Sequence, residues 1–135
     1  MITRLVIAAF LLAHGAIHFG FVSPRPPATA DGPPWPFQLG RSWVLGPLGV
    51  DADLARVLGT ALIAVTLGGF ALAAVAALGV APAGIWPAAV AVGAIGSVAV
   101  LSLFFHPWLV LGLAIDVTLL WAVFVASWAP EGMTP

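Results

Sequence analysis

Cysteine, lysine and asparagine are absent from this 135-residue chain, and charge of either sign is scarce. Without cysteine there is no disulfide, no thiol nucleophile and no thiolate-bound zinc or iron–sulfur centre. Four arginines against five acids leave a formal net charge of −1, so the basic footprint of a nucleic-acid binder is missing. Charged residues make up 7% of the chain, where a soluble domain carries about 25%, too few to cover a water-facing surface. What fills the chain is apolar: 62% hydrophobic residues and a mean hydropathy of +1.16. The lipid bilayer is the partner this composition fits, and a multi-pass cell-membrane protein is expected.

The distribution of charges marks the spans. No Asp, Glu, Lys or Arg occurs from Leu5 to Val22, and from Val57 to Pro130 the only one is Asp116. A spanning helix takes about 20 apolar residues, so the second stretch holds several. Gly and Pro punctuate it at Leu78-Gly79-Val80-Ala81-Pro82-Ala83-Gly84 and at His106-Pro107. The reading is an all-α, four-helix transmembrane bundle forming one domain over 1–135, with helices at about 3–22, 53–78, 84–105 and 108–129. Asp51 and Asp53 suit the N-terminus of the second helix as cap and dipole partner. Pro107 suits the first turn of the fourth, where no amide hydrogen is needed. Trp86, Trp108 and Trp128 fall near helix ends, where interfacial aromatics belong. The first span is expected to be a retained helix rather than a cleaved signal peptide. Its apolar run is longer than a signal core, it carries two histidines, and Ser23-Pro24 makes a poor cleavage site.

Segment 23–52 is the one substantial extramembrane stretch. Pro24, Pro26, Pro27, Pro33, Pro34, Pro36 and Pro47 exclude a regular helix through most of it. Trp35, Phe37, Leu39, Trp43, Val44, Leu45 and Leu48 make it too apolar for a free linker. An ordered Pro/Trp-rich loop between the first two helices is expected, either an interfacial anchor or a lid over a site, with Trp35, Arg41 and Trp43 as lid side chains. Arg25, Arg41 and Arg56 against Arg4 favour a cytoplasmic loop.

Small residues at four-residue spacing, Ala89, Gly93 and Ser97 with Gly96 beside them, predict close helix contact on the third span. Gly59, Thr66 and Gly112 are suited to the same role, and Gly68-Gly69 marks a point where the second helix can kink. Thr66, Ser97, Ser102 and Thr118 are expected to satisfy backbone carbonyls within the bundle.

Four ionisable residues are left as candidates for chemistry: His14, His18, His106 and Asp116. At 1.5 Å rise per residue in antiparallel spans, His14 lies roughly 12 Å below the loop-side surface and Asp116 about 13–14 Å below it. His18 comes out at roughly 6 Å and His106 near zero. All four fall in the half of the bilayer facing the loop, and His14 and His18, at i and i+4, project from one helix face. Gly15 and Gly112 leave room for a neighbouring helix beside them.

Three readings follow. His14 bonds Asp116 as interhelical glue in a structural or assembly subunit. Alternatively, His14, His18 and Asp116, with or without His106, form a ligand pocket that binds Zn or Fe. A haem would draw its two histidines from different helices or protomers. In the third, these residues line a pocket for a quinone-like or proton-linked ligand, as in an accessory redox component or a small dimeric transporter. Four short spans enclose little volume, so a homo-oligomer or a partner membrane subunit is expected. No G-x-S-x-G elbow, Walker loop or GxGxxG occurs, which leaves serine hydrolases, nucleotide-driven pumps and Rossmann enzymes unsupported.

The first span, from Arg4 to Pro24, resembles the opening helix of the DoxX-like family, small four-helix bacterial membrane proteins, at Gly15, His18, Phe19 and Pro24. The resemblance implies a four-span layout in a bacterial inner membrane and work beside quinone-linked sulfur or thiol oxidation. The Pro/Trp-rich loop, Phe105-His106-Pro107-Trp108 and Asp116 lie outside that pattern.

Overall fold

A computed structural model describes residues 1–25, 27, 35–131 and 133. The chain forms a bundle of four helices, all long and apolar enough, with their flanking turns, to cross a membrane. They are α1 (Ile2–Ala16), α2 (Ala52–Ala77), α3 (Trp86–Leu103) and α4 (Val110–Phe124). A 3-10 stretch, Ile17–Phe21, prolongs α1, and 3-10 turns at Ala83–Ile85 and Pro107–Leu109 lead into α3 and α4. Each helix packs on its successor in sequence, and the short α2–α3 and α3–α4 connections make those pairs antiparallel.

Two helices differ from the sequence expectation. The first keeps its length but tightens after Ala16, where the His18 ring bonds the Gly15 carbonyl at 3.1 Å and the chain passes into 3-10 geometry. The fourth stops at Phe124, short of residue 129. Beyond it the Ala126 and Trp128 amides reach back to the Trp121 and Ala122 carbonyls, and Ser127 takes a φ of 51°, a left-handed conformation no helix can propagate.

At the start of α2, the Asp51 carboxylate accepts from the amides of Asp53 and Leu54, both at 2.9 Å. Those amides have no partner inside the helix, so Asp51→Ala is expected to cost about 1 kcal/mol. A lowered Tm in detergent checks this; an unchanged Tm removes the cap from the list of stabilising contacts.

The expected Pro/Trp-rich loop falls partly outside the described residues, at Pro26 and positions 28–34 (which include Pro33 and Pro34). Its described portion folds onto the end of α3. Ser42 Oγ donates to the Leu103 carbonyl at 2.6 Å, and Trp43 Nε1 to the Ser102 carbonyl at 2.7 Å. These are carbonyls of the last turn, which the helix itself cannot satisfy. Loop side chains thereby cap a helix C-terminus and fix the loop over the bundle.

Buried side chains gather at the two ends of the bundle. One cluster joins Ala8 and Leu11 of α1 to Phe70, Ala73, Trp86, Val90 and Val123. The other joins Phe21, Leu39, Ile63, Val100, Phe104 and Leu109, with Phe37 of the loop against it. Trp86 is 1% exposed, so it belongs to the core rather than to an interfacial belt, and its ring meets Trp128 edge-on at 6.0 Å.

Gly69 and Gly93 bring α2 and α3 together. A Cβ on Gly69 would lie 2.2 Å from the Gly93 nitrogen, and a Cβ on Gly93 would lie 2.7–2.9 Å from Phe70 atoms. Gly69 therefore serves backbone approach, and the Gly68-Gly69 pair makes no break in α2.

Candidate functional site

Between the two apolar clusters lies a line of polar side chains. His14 sits in the last turn of α1, His18 in the 3-10 stretch that follows, Ser97 midway along α3 and Asp116 midway along α4. None of the four is more than 4% exposed. His14 Nε2 is 2.8 Å from Asp116 Oδ1. Asp116 Oδ2 is 2.5 Å from Ser97 Oγ, which is 2.9 Å from His18 Nε2. His18 Nδ1 ends the line on the Gly15 carbonyl. A carbonyl only accepts, so this nitrogen carries the hydrogen. The line ties α1 to α3 and α4 through side chains alone.

Aromatic rings hold the imidazoles. Phe10, one turn before His14, stacks parallel to it at 6.1 Å, and Phe70 of α2 meets it edge-on at 5.2 Å. The two histidine rings stand at 87° to one another, 6.0 Å apart. A Cβ on Gly15 would make ordinary contact with Phe70 and Leu67 at 3.5–3.7 Å, so the packing here does not depend on a glycine. His14 Nδ1 is buried and has no hydrogen-bond partner.

Beside the imidazoles is a cavity of about 140 Å³, lined by His14 and His18, by Leu109, Gly112 and Ile115 near the start of α4, and by Phe37 and Trp108. A wider hollow of about 680 Å³ opens among Met1, Arg4, Leu5, Leu78 and Glu131, but there Arg4 already donates to the Glu131 carbonyl at 2.9 Å. The smaller of these two adjoins the polar line, while Trp86 Nε1, likewise buried without a partner, belongs to a residue lining a separate hollow of about 380 Å³.

Of the residues singled out in the sequence, His14, His18 and Asp116 meet in one line. His106 does not join them. Its Nδ1 accepts from the Trp108 amide at 3.2 Å, and its ring packs edge-on to Trp108. Nor do the expected lid side chains close the cavity. Trp35 packs on Phe37 at 5.4 Å, Arg41 is exposed, and Trp43 is held on the end of α3. Among the described loop residues, Phe37 lies over the cavity, and its ring also packs on Phe21 at 5.1 Å. Ser97 was expected to bond a backbone carbonyl, as Thr66 and Thr118 do on Leu62 and Ala114. It instead joins His18 to Asp116. Its depth offered a signal: eight residues before the expected end of the third helix at 105, about 12 Å down, places it level with His14.

A metal does not fit this donor set. Both nitrogens of His18, Nε2 of His14 and both Asp116 oxygens already face a partner within the protein, leaving His14 Nδ1 as the one free donor. Among the described residues, no three His, Cys, Asp or Glu side chains are grouped to hold a metal ion. A haem fits no better, because both nitrogens of His18 are taken and a cavity of about 140 Å³ has the volume of one small ring, not a porphyrin. No protein-family model matches the chain, and neither a curated protein nor a solved structure matches it.

Proposed function

We propose that this membrane protein binds a small apolar molecule with one hydroxyl-bearing ring, a phenol or quinol head group, taken from the lipid into the His14/His18 cavity. The observation that carries this reading is the buried, unpartnered His14 Nδ1 on a side chain that lines an otherwise apolar cavity. A dry cavity of about 150 Å³ accommodates benzene, so the space here matches a single ring with any tail left in the bilayer. His14 donates from Nε2 to Asp116, which leaves Nδ1 as an acceptor in the neutral ring. An acceptor selects a ligand that donates. The reduced, hydroxyl form of a quinone-type ring is therefore favoured over the oxidised, carbonyl form. Asp116 fixes the orientation of the imidazole, and Phe10 and Phe70 hold its plane.

The test uses purified protein in lipid nanodiscs, titrated with a short-chain alkyl hydroquinone and read by ligand-observed NMR. Saturable binding is expected, with roughly tenfold weaker affinity for the corresponding benzoquinone and for His14→Phe, the loss of one hydrogen bond. Ile115→Trp, which fills the cavity, is expected to abolish it. Equal affinity for both oxidation states, or binding untouched by Ile115→Trp, would sink the reading. A second reading, a purely structural clamp, draws on the same line of contacts joining α1, α3 and α4. It predicts lowered Tm in His14→Phe with no saturable binding in any variant.

A further inference from the structure

The polar line contains more contacts than its simplest protonation state can supply with hydrogens. Each of the four contacts needs one hydrogen between its two heavy atoms: His14 to Asp116, Asp116 to Ser97, Ser97 to His18, and His18 to the Gly15 carbonyl. With a carboxylate at Asp116 and two neutral imidazoles, only three hydrogens are present. These are one on His14 Nε2, one on His18 Nδ1 and the hydroxyl hydrogen of Ser97. The Ser97 hydroxyl would then face two acceptors, His18 Nε2 and Asp116 Oδ2, with one hydrogen. Moving the His18 hydrogen to Nε2 would only transfer the conflict, leaving Nδ1 against a carbonyl. Adding a proton to His14 leaves the Ser97 conflict standing.

We infer that the Asp116–Ser97–His18 line holds one additional proton, which makes it a proton-binding site within the membrane. The inference rests on the four contacts and not on the ligand proposed above. In one arrangement Asp116 Oδ2 donates to Ser97 Oγ, and Ser97 donates to His18 Nε2. In the other, the Oδ2–H bond breaks as its proton passes to Ser97 Oγ, and the Ser97 proton passes to His18 Nε2. That leaves a carboxylate and an imidazolium, with the same number of protons and no electron transferred. Every contact is satisfied in both arrangements. A shift between them moves one proton's charge from the depth of Asp116 towards His18, about one helical turn nearer the loop side than His14. The uncharged arrangement avoids separating charge in a medium of low dielectric constant. No other charged or titratable group faces the line from the helices around it. α2 packs Phe70 on His14 and Thr66 against Gly96, and its charged residues Asp53 and Arg56 are paired with each other near its start; α3 has no ionisable residue, and α4 has only Asp116.

The test is infrared and NMR spectroscopy of the protein in lipid at neutral pH. Wild type is expected to show a protonated-carboxyl C=O band that shifts in D2O and is lost in Asp116→Asn, or else a His18 imidazolium with both ring nitrogens protonated. Selective 15N-histidine and 13Cγ-aspartate labelling of the wild type reads the same count without relying on a variant that has to fold. An ionised Asp116 together with a neutral His18 overturns the inference.

Discussion

Gly69→Ala is expected to destabilise the bundle by about 3 kcal/mol, the upper end of what overpacking costs, while Gly68→Ala leaves Tm essentially unchanged. The two positions are adjacent on the same helix and differ in what lies opposite. A methyl at Gly69 would fall 2.2 Å from the Gly93 nitrogen and 2.6 Å from its Cα, whereas nothing lies within 4 Å of one at Gly68. The atoms in the way at Gly69 are backbone, so no rotamer change relieves the contact and α2 must move off α3. In lipid there is no hydrophobic drive to hold separated helices, and association depends on the close packing that would be lost. Thermal unfolding of the two variants in the same detergent checks this. Equal Tm values would mean that the helices are not in backbone contact at Gly69.

The second large effect is at Asp116. Leaving a buried hydrogen-bonding group without its partner costs about 1–3 kcal/mol, and Asp116→Leu is expected at the upper end of that range. An interhelical hydrogen bond in a membrane has a net value of only about 0.6 kcal/mol on average. Most of the loss therefore comes from the His14 donor left without an acceptor. Ser97 is affected less, because its hydroxyl can still donate to His18 Nε2. The expected signature is strong non-additivity: the double variant His14→Phe/Asp116→Leu is more stable than the sum of the two single losses predicts. Additive losses would show that the two side chains do not share a contact.

Much of the bundle was legible because lipid imposes a simple rule on sequence. A span must be almost free of charge, so the gaps between Arg4, Arg25, Asp51, Asp53, Arg56, Asp116 and Glu131 nearly outline the helices. Depth was legible for the same reason. A fixed rise per residue puts His14 and Asp116 at one level, and the structure has them 2.8 Å apart.

What the sequence did not reveal is direction around each helix axis. Ser97 belongs to a stripe of small residues, and a serine there bonds its own helix as readily as a neighbour, so only its facing, towards His18 and Asp116, makes it a bridge. Phe37 was one of several apolar residues in a proline-rich loop, and the packing of Phe21 against it selects it over Trp35, Arg41 and Trp43. His106 lay in the right half of the bilayer, yet the turn at Pro107 engages its ring locally with the Trp108 amide. The end of α4 was also hidden, since Val125, Ala126 and Ser127 are ordinary residues for a spanning helix, yet the helix stops at Phe124 and the chain turns to a positive φ at Ser127.

The proposals for ligand and proton alike depend on the imidazole of α1 reaching the carboxylate of α4 in the middle of the bilayer. Solid-state NMR of the protein in lipid, with 15N-histidine and 13Cγ-aspartate labels, measures that contact as a dipolar coupling between His14 Nε2 and the Asp116 carboxyl carbon. A strong coupling, lost in Asp116→Asn when the 13C label stays on aspartate, is the predicted result. Its absence in folded wild-type protein, with the His14 ring relaxing as a lipid-exposed side chain, would contradict it.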